Sequence, residues 1–212
     1  MRKPGKYAPQ YQPIAGRIQS IGSGRFCFII SVSDMKKVLA PSFFNRPTVR
    51  VAKDLLGKFL VRRRGKKQIA VMIAEAETYD GPYDKASHAS HGKTKRNEVM
   101  FGKAGRFYVY FTYGMYWMLN IVTGPKDYPA AILIRGARHD GKSINGPARL
   151  TKYLRIDKRF NGKTAGRQTG FWIEDRGVKI QSSQIKRGKR IGVDYAGAWA
   201  KKLYNFSILD RA

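Results

Sequence analysis

The chain has 212 residues, 42% of them hydrophobic and 12% aromatic, which suits one domain with a substantial core and excludes disorder throughout. Its 42 Lys and Arg against 14 Asp and Glu give a formal charge of +28, which points to nucleic acid ahead of an anionic membrane surface. Cys27 is the single cysteine, so an internal disulfide and a thiolate zinc site are both excluded, and a reducing compartment fits.

Residues 1–34 are rich in Gly, Gln, Ser and basic side chains without a helical period. They read as a basic tail: either a flexible arm that adds nonspecific DNA affinity, or a non-native upstream extension. The apolar run from Phe26 to Val32 is too short to cross a bilayer, which takes ~20 residues, and reads as a short strand or part of that extension. Met35 resembles a natural start, so residues 35–212 are expected to form the folded domain.

Within that domain Pro47 opens a helix over 47–56, with Val51, Ala52, Leu55 and Leu56 on its apolar face and Gly57 beyond its end. Two strands follow, 58–64 and 68–79, joined by Gly65-Lys66-Lys67. Strict alternation places Ile69, Val71, Ile73, Glu75, Glu77 and Tyr79 on one face, running from core into a polar site and ending at a ring. Asp80-Gly81-Pro82 terminates the strand.

Phe107 to Phe111 and Tyr116 to Val122 predict a protruding β-hairpin with Tyr113 at its tip. A further strand covers 130–135, Asn145-Gly146-Pro147 opens a helix carrying Leu150, Tyr153 and Leu154, and Phe171 to Ile173 and Lys179-Ile180 read as short strands. The expected fold is α+β, a single compact domain around antiparallel strands.

Glu75 and Glu77 are scarce acids in a basic chain, set beside an aromatic cluster. A hydrolytic general base needs such a carboxylate, although half-exposed strand glutamates are the plainer explanation of the spacing alone. Tyr79 and His88 flank the Gly81-Pro82 turn and can face one another across a slot that stacks a base. Tyr113 at a turn has little protein to pack on, as a wedge into a DNA groove requires. His88, His91 and His139 lack helical metal spacing, so neither metal nor cofactor is expected.

These motifs carry a resemblance. The segments from Glu77 to Asp84 with His88, Tyr108 to Asn120, Leu133 to Arg135, Asn145 to Pro147 and Gly192 to Trp199 resemble the 3-methyladenine (alkyladenine) DNA glycosylases of the methylpurine type. The resemblance runs from about Met35 to Asp210 in the expected order. It implies base excision from double-stranded DNA containing damaged purines, by hydrolysis of the N-glycosidic bond without a lyase step. By matching positions, it implies Glu77 as general base, with Arg135 and the backbone near Val193 holding the water. Tyr79, His88 and Tyr110 would line the base pocket, Asn120 would disfavour the amino group of guanine, and Tyr113 would intercalate. Thr78 stands where the family has Ala, and the roles of Glu75, Arg96 and Asn97 stay open.

The resemblance implies an intracellular enzyme, monomeric and without a membrane partner, in the nucleoid of a bacterium or the nucleus of a eukaryote. The rival readings are a noncatalytic nucleic-acid-binding module, with RNA among its candidate partners, and a ribosome-associated basic protein. Both require the two glutamates to be incidental.

Overall fold

The structure is a computed structural model and describes residues 36–209; the predicted tail and the Phe26 to Val32 run lie outside the described residues. In chain order it contains β1 (Lys37–Val38), α1 (Pro41–Phe44), α2 (Thr48–Leu55), β2 (Phe59–Arg64), β3 (Lys67–Asp80), β4 (Phe107–Thr112) and β5 (Tyr116–Val122). Then come β6 (Ala130–His139), β7 (Lys142–Asn145), α3 (Pro147–Leu154), β8 (Phe171–Asp175), β9 (Ile185–Gly188) and β10 (Asn205–Ile208). One antiparallel sheet joins the ten strands in the order β1-β8-β2-β3-β6-β5-β4, with β7 beside β6, β10 beside β3 and β9 beside β10.

The helix read over 47–56 is α2, whose Val51, Ala52 and Leu55 pack on the sheet as their spacing dictates. Leu150 and Leu154 of α3 join the same core. Both helices therefore cover one face of the sheet, the face presented by Phe107, Val109, Leu119, Ile121, Ile132 and Ile134. Alternation sends the residues between these to the opposite face, where the 3-10 turns His88–His91 and Glu98–Phe101 pack through Ala89 and Met100.

Strict alternation along β3 does not hold. Val71 and Ile73 enter the core as expected, but the next core residue is Ala76, because the ladder with β6 slips where Glu75 meets Gly136. A Cβ on Gly136 would stand 3.1 Å from the Cβ of Glu75, so glycine relieves a tight contact where the slip occurs. Glu75, Glu77 and Tyr79 consequently lie on the face opposite to Val71 and Ile73 rather than continuing it.

Lys179-Ile180 forms no strand. Ile180 is held instead by packing over Gly57, with its Cγ1 2.9 Å from where a Cβ would be. Four short strands escaped the sequence reading: β1, β7, β9 and β10. Two to four residues long, they owe their extended shape to a neighbour's free edge more than to their own composition.

β4 and β5 form the predicted hairpin, with Thr112 paired to Tyr116 and a three-residue loop between them. β5 pairs with β6 only over 120–122. At the loop Tyr113 takes φ 51°, a left-handed conformation that bulky residues seldom adopt, and its side chain is 82% exposed.

The turn after β3 is set by Gly81 at φ +83°, where a Cβ would collide with the Tyr128 hydroxyl. Gly81→Ala is expected to cost about 1–3 kcal/mol from left-handed strain and this collision. Urea unfolding measures it, and a loss below about 0.5 kcal/mol would show that the turn relaxes freely.

Candidate active site

Antiparallel pairing puts opposed residues on the same side of a sheet, so a site can be read across the strands. Tyr108 pairs with Asn120, Asn120 with Leu133, Leu133 with Glu77, and Glu77 with Asn205. This row crosses β4, β5, β6, β3 and β10 on the face opposite α2 and α3. The neighbouring pairs Tyr79 with Ala131 and Tyr110 with Met118 widen it.

Above the row lies a cavity of about 350 Å³, lined among others by Tyr79, His88, Tyr108, Tyr110, Asn120, Arg135 and Val193, with Tyr113 and Tyr195 also on its wall. Its size is at the lower end of the range for small-molecule sites, suited to one flat ring system. Two small apolar clusters flank it. Ala89 and Met100 pack on Tyr108, Val122 and Ala131, and Val193 and Ala196 pack on Ala86 beside Tyr79. Of the residues singled out from sequence, seven line this one cavity.

Glu77 does not line it: the side chain is fully buried and sits one hydrogen bond behind the cavity wall. Four donors converge on its carboxylate. Oε1 accepts from the Ile191 amide at 2.9 Å and from Asn205 Nδ2 at 3.1 Å. Oε2 accepts from the Tyr79 hydroxyl at 3.1 Å and from Arg135 at 3.4 Å. A carboxylate offers about four acceptor positions, so the set is complete. Arg135 also donates to Glu75 Oε1 at 3.2 Å, and Asn205 Nδ2 reaches the same oxygen at 2.8 Å. The two glutamates thus share one guanidinium and one amide.

The aromatic wall is as specific. His88 Nδ1 and the Tyr108 hydroxyl are 2.9 Å apart, and the imidazole meets Tyr110 edge-on at 4.6 Å between centroids. Burial, with help from Arg96 and His91, pulls the His88 pKa down to about 4, so the ring is neutral near pH 7. Burial also raises the phenol pKa of Tyr108, and that of Tyr110 to about 12. Tyr79 is raised by burial first and by the Glu77 charge second, so its hydroxyl remains a donor to that carboxylate.

Behind the wall stand residues whose importance the sequence did not disclose. Asp84 and Arg190 form a fully buried bidentate ion pair. Asp84 also accepts from the amides of Asp80 at 3.1 Å and Ala86 at 3.1 Å, which shapes the loop between Tyr79 and His88. Arg190 donates to the carbonyls of Thr78 at 2.9 Å and Trp199 at 3.1 Å and lies 4.9 Å from the Tyr79 ring centroid. Asn97 carries the His88 turn, donating to the His88 carbonyl at 2.9 Å and to Gly92 at 2.8 Å. Arg96 lies over Tyr110 at 5.4 Å. Tyr108 was legible in principle, being two residues from Tyr110 on the same strand face. Arg190 and Asn205 had no local signal, since 106 and 128 residues separate them from Asp84 and Glu77.

A family profile of the methylpurine-DNA glycosylases matches residues 42–212. A protein of Methanocella arvoryzae, which bears the inferred name 3-methyladenine DNA glycosylase, is 42% identical over 185 residues, covering 80% of this chain and 91% of that one. A similarly named protein of Legionella pneumophila strain Paris is 43% identical over 180 residues, covering 83% and 96%. One of Streptomyces avermitilis is 39% identical over 176 residues, covering 75% and 83%. The chain belongs to the methylpurine-DNA glycosylase family, hydrolases that act on N-glycosyl bonds of DNA.

The depressed His88 pKa carries a pH signature. As pH falls from about 6.5, the ordinary histidine value, towards 4, the unfolded chain takes up a proton that the folded chain refuses. Stability present above pH 6.5 is therefore lost across that window. His88→Gln is expected to flatten the fall in the urea midpoint between pH 6.5 and 4.5 relative to the parent. Superimposable pH profiles would show that His88 titrates normally.

Proposed function

We propose that this protein extrudes alkylated or deaminated purines from duplex DNA into the cavity and hydrolyses the N-glycosidic bond, with Glu77 as general base and no strand cleavage. The observation that carries this reading is the buried Glu77 carboxylate directly behind an aromatic slot of single-base size, with Arg135 and Val193 on the wall between them. Base-excision chemistry needs that combination, because the reacting base must leave the stack before water can reach its sugar carbon.

The contact between Glu77 and Arg135, at 3.4 Å, is the longest of the four on this carboxylate. It is the contact that a water yields to or bridges. The water, held by Arg135 and the Val193 carbonyl, attacks the sugar C1′ and gives its proton to Glu77. The electron pair of the broken C–N bond departs with the base, which leaves neutral if alkylation had made it cationic and otherwise leaves as an anion that takes a proton from solvent. General-base assistance of this kind contributes roughly 10²–10⁴-fold, and the carboxylate also favours the positive charge that develops on the sugar.

Selectivity follows from the walls. Damaged bases stack and pair less well, so they cost less to extrude. Tyr79, His88 and Tyr110 grip the purine. Asn120 is fixed by donating to the Tyr108 carbonyl at 3.1 Å and presents a rigid edge that leaves no room for the amino group of guanine. Tyr113 fills the vacated place in the duplex; its exposure and left-handed backbone fit a residue held for a task other than packing. Among the described residues no lysine lines the cavity, which favours water over a Schiff-base nucleophile.

Glu77→Gln tests the assignment. Single-turnover release of free base from alkylated duplex should fall by roughly 10² or more while affinity for the lesion is nearly kept. Near-normal release by a folded Glu77→Gln protein would remove Glu77 from the base role. No release by the unaltered protein would favour a noncatalytic binding module.

A further inference from the structure

Glu75 stands outside the cavity lining, two residues before the buried Glu77, where the ladder with β6 slips. Its side chain is 24% exposed, so its charge stays partly solvated and costs less to keep than that of Glu77, which no solvent reaches. Both donors that it engages are donors of Glu77 as well. Arg135 gives Nε to Glu75 at 3.2 Å and Nη1 to Glu77 at 3.4 Å. Asn205 Nδ2 lies 2.8 Å from Glu75 and 3.1 Å from Glu77. Each donor is therefore closer to the outer carboxylate than to the buried one. An unopposed charged pair closes to about 2.7–2.9 Å, and the contact between Arg135 and Glu77 is longer than that.

We infer that Glu75 is a positioning residue for base release: its carboxylate draws Arg135 and Asn205 back from Glu77 and so keeps a place for the attacking water between Arg135 and Glu77. The inference rests on the reading of Glu77 as general base. Fixed at Nε and Nη1, the planar guanidinium has a settled orientation, and its remaining N–H groups are left for the cavity whose wall Arg135 forms. Without Glu75 the guanidinium pairs with Glu77 alone and closes on it, which shuts out the water. The purine slot is untouched by that change, because Glu75 acts on Arg135 and Asn205 and not on the rings of Tyr79, His88 and Tyr110. The slip in β3 involves the backbone and Cβ of Glu75 against Gly136, so Glu75→Ala removes the carboxylate and keeps the slip.

Single-turnover release of base from alkylated duplex, measured against protein concentration, separates this role from a merely structural one. Glu75→Ala should lower the rate at saturation by roughly 10-fold or more, with half-saturation within about 2-fold of the parent. Glu75→Gln keeps an acceptor oxygen but loses the charge, which halves such a contact, so its rate should fall between the two, roughly 3-fold below the parent. A parental rate for either folded variant overturns the inference, as does a loss confined to half-saturation. Should Glu75→Ala fail to fold, Glu75→Gln decides alone by the same two criteria. A double-mutant cycle then asks whether Glu75 acts through Arg135: in an Arg135→Gln background, Glu75→Ala should cost at most about a further 2-fold. A further loss as large as in the parent overturns the inference, and if that background does not fold, the saturation rates of the single variants stand as the test. Normal release by Glu77→Gln would instead remove the general-base reading, whereas impaired Glu77→Gln beside a parental Glu75→Ala removes only the role of Glu75.

Discussion

The buried ion pair of Asp84 and Arg190 is the interaction on which the site depends. Two unit charges without solvent access are costly to desolvate, and their attraction offsets that cost only with full hydrogen bonding. Here Asp84 accepts from two backbone amides and the guanidinium reaches two carbonyls besides its partner, while the buried Arg190 Nε makes no hydrogen bond among the described residues. Removing one member of such a pair typically costs 3–5 kcal/mol. An apolar pair of equal volume could stabilise the fold as well, so the distinctive contribution of these charges is position. They tie the loop after β3 to the chain between β9 and β10 and set the Tyr79 ring between them.

That tie completes the carboxylate site. Glu77 needs a donor from Ile191, the residue after Arg190, and one from Asn205 on β10. Neither belongs to the strands that carry the aromatic slot. The sheet supplies Glu77, Arg135 and Tyr79 through register, and the C-terminal segment closes the remaining side. The acids of the site are therefore concentrated behind its wall. The chain carries +28 overall, which suits phosphates, yet its cavity is backed by two glutamates that share one arginine.

The legible parts of this protein were those whose cause is local. The apolar spacing of Val51, Ala52 and Leu55 and the aromatic run of the hairpin determine α2, β4 and β5 with little help from elsewhere. The face switch in β3 was illegible because it depends on a glycine in another strand, Gly136, and alternation within one strand carries no trace of it. β9 and β10 were missed for a related reason, since each is extended only where it meets an edge. For the site, residue spacing alone left Glu77 undecided against an ordinary strand glutamate, and the motif resemblance selected it. The resemblance assigned no role to Arg190, Asp84 or Asn205, which touch the wall from behind.

The C-terminal segment is latched onto Glu77, and the Ile191 amide reports this directly. Native-state hydrogen exchange should find that amide protected to the level of the paired amides of β3 and β6, and Asp84→Asn should reduce its protection more than theirs. An Ile191 amide that exchanges at the rate of an open loop would contradict the account.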